Sequence, residues 1–145
     1  MGTTSSRPTS YGPAPEIAVV HRGREEELIR DASGYLFIDT DASTTWQFSM
    51  EYHGKAHPEL VRLAQNARDR YDLFFLCDDG IPYDNTWDRS GDVSRCIMQR
   101  RIESDLLARR VPFHWLSGSV EARSEKVMQV LRQFSKLHRK AESTV

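Results

Sequence analysis

The chain has 145 residues, of which 39% are hydrophobic and 28% are charged, and its formal net charge is −1. This length fits a single globular domain, and the balanced charge excludes a global field that would attract nucleic acid or an anionic membrane. No apolar run approaches the roughly 20 residues of a membrane-spanning helix, and no export signal is visible. The two cysteines, Cys77 and Cys96, lack the spacing of metal ligands. We therefore expect a cytoplasmic protein with reduced thiols.

In chain order, the first half of the sequence begins with a Thr-, Ser- and Pro-rich stretch, Met1–Pro15, which predicts a disordered tail. A Glu-rich helix is predicted at Arg24–Ala32, and the continuous apolar run Tyr35–Ile38 predicts a strand covered on both faces. Helical spacing then predicts a helix over about residues 43–52. Another helix begins at His57-Pro58 and is expected to bury Leu60, Leu63, Ala64 and Ala67.

The second half repeats this alternation of strands and helices. Leu73–Cys77 and Pro112–Leu116 are short apolar runs typical of buried strands, and a loop over Gly80–Gly91 follows the first of them. After the loop, one long helix is indicated by the spacing of Val93, Ile97, Met98, Ile102 and Leu106. A final helix is predicted from near Ser119 to about Leu137, so that residues 16–140 form the ordered domain and 141–145 a second tail.

Strands that are apolar on both faces and alternate with helices predict a parallel sheet between two helix layers, a three-layer α/β/α fold. Each predicted strand runs into polar residues, which are Asp39 and Asp41, then Asp78 and Asp79, then Ser117. Since ligands bind at the carboxyl ends of parallel strands, we expect these three clusters to meet at one edge and to form a site.

Asp39 and Asp41 are the first candidates for chemistry at this edge. A carboxylate that follows a buried strand can hold Mg²⁺ or accept the proton of a substrate hydroxyl. The alternative is that Asp41 caps the following helix, and both roles are compatible because one residue can cap while its neighbour binds. Asp78 and Asp79 are typical of a solvated turn before Gly80, unless a cation relieves the repulsion between them.

The loop between the second strand and the long helix carries aromatic and basic residues, Tyr83, Trp87 and Arg89, and Arg95 lies just beyond it. Long loops in compact domains are often lids, and phosphoryl transfer requires mobile positive charge over the phosphates. Tyr83 and Trp87 would then stack on a planar ring. The alternative is that Trp87 fills a gap in the core and that both arginines form surface ion pairs worth under about 1 kcal/mol.

The segment Ser117-Gly118-Ser119 joins the last strand to the last helix. Its small residues would let the backbone approach a ligand closely. The alternative is a helix N-cap by Ser119, with Glu121 and Glu125 favoured by the helix dipole.

Several of these segments together resemble a known family. The FIDTD motif that ends at Asp41, the Tyr52-His53-Gly54 turn and the IPYDNTWDRSG segment that ends at Gly91 are similar, in order and spacing, to the nicotinamide-riboside kinase domain of NadR-type proteins. The resemblance to this AAA-type P-loop family covers about residues Glu16 to Phe134. It implies a P-loop kinase fold that uses ATP, Mg²⁺ and a nucleoside-type substrate, with no nucleic-acid or membrane partner.

The resemblance also implies roles for individual residues. The catalytic candidates are Asp39, Asp41, Arg89 and Arg95, and the metal candidates are Asp39, Asp41 and Asp79. The substrate-binding candidates are Thr44, Tyr52, Tyr83, Asp84 and Trp87, with Tyr83 in the place of an aromatic that stacks on the nicotinamide ring. The nucleotide-binding candidates, which would border the adenine, are Ser117, Gly118, Ser119 and Arg123.

One part of the family pattern does not occur in this sequence. A P-loop requires G-x-x-x-x-G-K-[ST] after a strand, whereas the only Gly-Lys pair here is Gly54-Lys55, which Ala56 follows. We therefore expect an N-terminally truncated fold without its central strand, little affinity for ATP, and open strand edges that favour self-association.

Three hypotheses follow from this pattern. The chain is part of a functional ATP-dependent kinase-like protein, or it is a non-catalytic relative that binds a nucleotide, a nucleoside or a protein partner. The remaining hypothesis is an unrelated α/β enzyme that uses the strand-end carboxylates with a metal ion.

Overall fold

The computed structural model describes residues 14–80 and 91–142, with side chains described over 16–80 and 95–135. The chain divides into two compact units, Met1–Asp72 and Leu73–Val145. Within the described ranges, no helix is both long and apolar enough to cross a bilayer.

The first unit contains three helices in its described part. They are α1 (Ala14–Asp31), α2 (Ala42–His53) and α3 (Pro58–Arg70). All three were predicted, but α1 is longer than expected and begins inside the predicted tail at Ala14. The rest of that tail, residues 1–13, lies outside the described residues.

The ends of α2 and α3 follow from local sequence. Asp41 is the N-cap of α2, and its side chain accepts the backbone N–H of Thr44 at 2.9 Å. Gly54 ends this helix in the left-handed region, with φ of 65°, which glycine adopts at little cost. His57 caps α3 through Nδ1, and Pro58 occupies the first helical position, where a missing N–H removes no hydrogen bond.

The core of the first unit lies where the three helices meet. Leu60, Leu63 and Ala18 are buried together, and Trp46 of α2 packs against them. The predicted inner face of α3 is confirmed, because Leu60, Leu63, Ala64 and Ala67 are all buried. Met50 of α2 is exposed and does not belong to this core.

A polar cluster joins α1 to the end of α3. The guanidinium of Arg70 donates from Nε to Glu25 at 2.8 Å and from a terminal nitrogen to Glu26 at 2.7 Å. The hydroxyl of Tyr71 donates to the same Glu25 carboxylate at 3.1 Å. Glu25 is buried, and these contacts compensate the loss of its hydration.

The predicted strand Tyr35–Ile38 is wrong, because these residues form no strand in the structure. Leu36 and Ile38 are half-buried, whereas Phe37 is 66% exposed, so the run is covered on one side only. The regular elements described for this unit are helices, which offer no backbone ladder to an extended segment. An apolar run is therefore not sufficient for a strand, which also needs a second backbone to complete its hydrogen bonds.

The second unit is α/β. Its elements are β1 (Phe75–Cys77), α4 (Gly91–Ala108), β2 (His114–Leu116) and α5 (Val120–Glu142). The strands pair in parallel, with Phe75 opposite His114 and Cys77 opposite Leu116. This confirms two of the predicted strands, their parallel direction and both helices. Within the described ranges the sheet has two strands, and α5 reaches two residues into the predicted tail at 141–145.

Apolar side chains from α4, from β1 and from the residues just before each strand form the core of the second unit. Leu76, Leu106 and Val111 are buried together, with Phe74, Ile102 and Phe113 packed around them. Among the residues of α5 whose side chains are described, Val130 and Leu131 are buried. Of the predicted inner face of α4, Leu106 is buried but Ile97 is 43% exposed.

Candidate functional site

The carboxyl ends of β1 and β2 lie side by side and carry polar residues. The ladder extends one residue past β1, since the backbone N–H of Asp78 donates to the carbonyl of Leu116 at 2.8 Å. Asp78 and Asp79 therefore follow one strand at the same end where Ser117 follows the other. Two of the three predicted clusters thus share one edge, as expected for a parallel pair.

The start of α4 is bound to this edge through side chains. Arg95 donates to the backbone carbonyl of Asp79 at 3.0 Å. One turn later, the side-chain amide of Gln99 donates to the carbonyl of Cys77. The sequence identified Arg95 and Asp79 as candidates but not Gln99. The one feature that could have indicated Gln99 is its position four residues after Arg95, on the same face of the helix.

The two aspartates at the end of β1 already have partners in the structure. Asp78 accepts the backbone N–H of Gly80 at 3.1 Å, which closes an Asx turn. A hydrogen bond from the Cys96 thiol holds the pKa of Asp79 below its ordinary value. The same contact raises the pKa of the Cys96 thiol. The predicted turn-forming role is confirmed for Asp78.

The turn between β2 and α5 is an ordinary helix start. The hydroxyl of Ser119 accepts the backbone N–H of Ala122 at 3.2 Å, which confirms the predicted N-cap. Gly118 has φ of 82°, a conformation that favours glycine. Arg123 directs Nε toward the carbonyl of Ser119 at 3.4 Å, so the nucleotide-binding candidates of this turn are close in space.

A groove opens beside this turn, at the end of β2 and along the first half of α5. Its volume is about 320 Å³, and its lining is Leu116, Val120, Arg123, Ser124, Val127 and Met128. The lining combines apolar side chains with one guanidinium and one hydroxyl. The groove is shallow and open to solvent, since Val120 and Met128 in its lining are 63% and 52% exposed.

In the first unit, Asp41 is engaged by its own helix. One carboxylate oxygen accepts the hydroxyl of Ser43 at 3.0 Å, and the other accepts both the N–H and the hydroxyl of Thr44, at 2.9 and 3.0 Å. The capping role is therefore confirmed, and Thr44, a substrate-binding candidate, is part of that cap. Asp39 lies two residues earlier and is exposed.

Tyr52 lies on the opposite end of the same helix, at its exposed last turn. Its ring stacks on that of Phe48, with centroids 6.1 Å apart and an interplanar angle of 8°. Tyr52 is 73% exposed, so one face of the pair is open to solvent. Asp39, Asp41 and Tyr52 belong to the first unit, whereas Asp79 and Arg95 belong to the second. The predicted approach of these residues to one another therefore stays a prediction.

The remaining candidates lie outside the described residues. They are Tyr83, Asp84, Trp87 and Arg89, all in the loop 81–90. Within the part of the chain that the structure describes, no three His, Cys, Asp or Glu side chains are grouped so as to hold a metal ion.

Comparison with known proteins identifies the family. No solved structure matches the chain. A family model described as an AAA domain matches residues 8–123, which span the residues of both strands and of helices α1 to α4. Because this match covers most of the 145 residues, the chain belongs to the AAA-domain family of P-loop proteins.

Proposed function

We propose that this chain is a nucleotide-binding domain of the kinase-like branch of the family, similar to the nicotinamide-riboside kinase domain. The observation that carries the proposal is the shared carboxyl edge of β1 and β2. There, Arg95 contacts Asp79, and Leu116 at the end of the neighbouring strand lines a groove together with Arg123. In open parallel sheets this edge is where ligands bind.

The nucleotide base would occupy the groove along α5. Leu116, Val120 and Val127 offer apolar contact to a planar ring, and Met128 adds a polarisable thioether that packs well against aromatic surfaces. A volume of about 320 Å³ lies at the lower end of the range for small-ligand sites, roughly 300–1,000 Å³. The groove therefore suits one nucleoside better than a larger cofactor.

Phosphoryl transfer is not expected from these 145 residues alone. The sequence contains no G-x-x-x-x-G-K-[ST], the segment whose amides and lysine neutralise the phosphates. The domain would bind the nucleotide, and a transfer reaction would require a phosphate-binding segment that these residues do not contain. Nicotinamide riboside is the acceptor class that the resemblance suggests.

Calorimetric titration of the chain with adenosine, ATP and nicotinamide riboside tests this proposal. We expect saturable heat with the adenine ligands. Val127→Glu, which places a charge in the groove, should abolish it, whereas Gln129→Glu, on an exposed position of the same helix, should not. Absence of saturable heat with every ligand, in a chain whose circular dichroism shows it folded, would contradict the proposal.

A second candidate function is association with another protein chain, including a second copy of this one. Helix α1 exposes an apolar stripe at Ile17, Val20 and Leu28, each more than 40% exposed. Each strand of the sheet pairs with one neighbour only among the described residues, so the other edges resemble the open edges that promote association. Sedimentation equilibrium over a range of concentrations tests it, and a strict monomer would exclude self-association.

A further inference from the structure

The carboxylates do not fit a magnesium site for ATP. A magnesium ion needs oxygen ligands that converge on it with free lone pairs. Both oxygens of Asp41 accept donors from Ser43 and Thr44, and losing them would uncap α2. Asp78 is held by the N–H of Gly80, and Asp79 by the Cys96 thiol. These three carboxylates are therefore engaged in turns and caps. Asp39 is exposed, and in the described part of the chain no three His, Cys, Asp or Glu side chains are grouped so as to hold a metal ion.

The only Gly-Lys pair of the chain also fails as a phosphate cradle. Gly54 is the C-cap of α2, and its N–H donates to the carbonyl of Met50 at 3.0 Å. The hydroxyl of Ser49 donates to the carbonyl of Lys55 at 2.9 Å. A helix carboxyl end carries partial negative charge, which repels phosphate. A P-loop needs the reverse arrangement, with free N–H groups at a helix amino end.

The amino end of α5, which borders the groove, already has partners for several of its N–H groups. The N–H groups of Ala122 and Arg123 donate to the Ser119 hydroxyl and to its carbonyl, respectively. The carboxylate of Glu121 accepts its own backbone N–H, which lowers the pKa of this group and keeps it ionised at neutral pH. An ionised carboxylate at this position opposes the accumulation of negative charge from a polyphosphate.

One cation remains in the lining of the groove, the guanidinium of Arg123. Its Nε is directed at the Ser119 carbonyl, whereas its other donors belong to the two terminal nitrogens. A guanidinium can hold one phosphate through two parallel hydrogen bonds. The lining therefore matches a base, a ribose and a single phosphate.

We propose that this chain recognises a nucleoside or a nucleoside monophosphate without magnesium, and not the magnesium complex of a triphosphate. The inference deepens the proposed function and rests on it. Binding energy would come from apolar contact of the base with Leu116, Val120 and Val127, and Arg123 would add the selectivity for one phosphate. The groove would act as a nucleoside-binding site whose affinity rises with the first phosphate and not with the second or third.

The experiment compares adenosine, AMP and ATP by calorimetry, each with Mg²⁺ and with EDTA. We expect AMP to bind about as tightly as ATP or more tightly, and EDTA to leave both affinities unchanged. If ATP binds at least about tenfold more tightly than AMP, and only with Mg²⁺, this inference is overturned while the proposed nucleotide site stands. If no ligand binds, the proposed function itself fails.

Substitutions in α5 test whether Arg123 binds the phosphate. Arg123→Gln removes the charge-assisted contact with the phosphate, so it should weaken AMP at least about tenfold and should leave adenosine unchanged. Lys126→Gln removes the same charge from an exposed position of the same helix and should leave both affinities unchanged. Arg123→Lys retains the charge and should recover part of the AMP affinity. An equal loss for AMP and adenosine in Arg123→Gln would contradict the phosphate role.

Discussion

The guanidinium of Arg95 donates to the backbone carbonyl of Asp79 at 3.0 Å, and so ties the first turns of α4 to the end of β1. We expect Arg95→Ala to lower the free energy of unfolding by about 1 kcal/mol, since one hydrogen bond to a part-buried carbonyl is lost. Urea denaturation measures the change. Arg100→Ala, at an exposed position of the same helix, should change it by less than about 0.5 kcal/mol, and equal effects would contradict the tie.

Asp41 stabilises the protein as a helix cap, whatever else it does. Asp41→Ala should cost about 1 kcal/mol, because the N–H of Thr44 and the hydroxyls of Ser43 and Thr44 lose their acceptor. Asp41→Asn retains a capping oxygen and should cost less than half as much. Thermal denaturation followed by circular dichroism compares the two variants. A cap is ruled out if alanine is tolerated as well as asparagine.

Arg70 compensates a buried carboxylate, so its removal should be costly. Arg70→Ala leaves Glu25 with Tyr71 as its remaining described donor, and we expect a loss of about 3 kcal/mol. The matched control is Arg62→Ala, which breaks the exposed ion pair with Glu59 and should cost under about 1 kcal/mol. Urea denaturation of both variants gives the comparison, and similar losses would show that burial does not matter here.

Tyr71 should make the protein sensitive to high pH. Burial, followed by the negative charge of Glu25, raises the pKa of Tyr71 above its ordinary value of 10.0. Since the phenol ionises more readily in the unfolded chain, its contribution to stability is complete below about pH 10 and is lost as the pH rises further.

The measurement is the unfolding free energy as a function of pH for the wild type and Tyr71→Phe. Above about pH 10 the wild type should lose up to about 1.4 kcal/mol per pH unit more than the variant does. The ultraviolet absorbance of tyrosinate should show one hydroxyl that ionises only on unfolding. Parallel pH profiles for the two proteins would refute this prediction.

Gly23 and Gly54 of the first unit both have room for a Cβ atom, but their backbone conformations differ. A Cβ atom added at Gly54 or at Gly23 would meet nothing within 4 Å, but Gly54 has φ of 65° and Gly23 lies inside α1. Gly54→Ala should therefore destabilise by about 1 kcal/mol through backbone strain. Gly23→Ala should stabilise by roughly 0.5–1 kcal/mol through helix propensity. Thermal melting of both variants tests the contrast, and changes of the same sign would contradict it.

The existence of the five described helices, the starts of α2, α3 and α5 and the two parallel strands could be predicted from the sequence, whereas the start of α1 could not. Capping by Asp41, His57-Pro58 and Ser119 depends on residues within one helical turn, so it can be read locally. The apolar spacing of α3 and the runs that became β1 and β2 likewise carry their own signal. The strand-end aspartates and Ser117 were found for the same reason.

Only the tertiary structure decided which extended run pairs and which polar groups are buried. Residues 35–38 and β1 look alike as sequence, but a strand needs a second backbone to complete its hydrogen bonds, and that backbone is distant in the chain. Burial of Glu25 depends on Arg70 and Tyr71, which lie more than forty residues away. The contact of Gln99 with Cys77 and the groove along α5 also arise from packing between elements, which local periodicity does not encode.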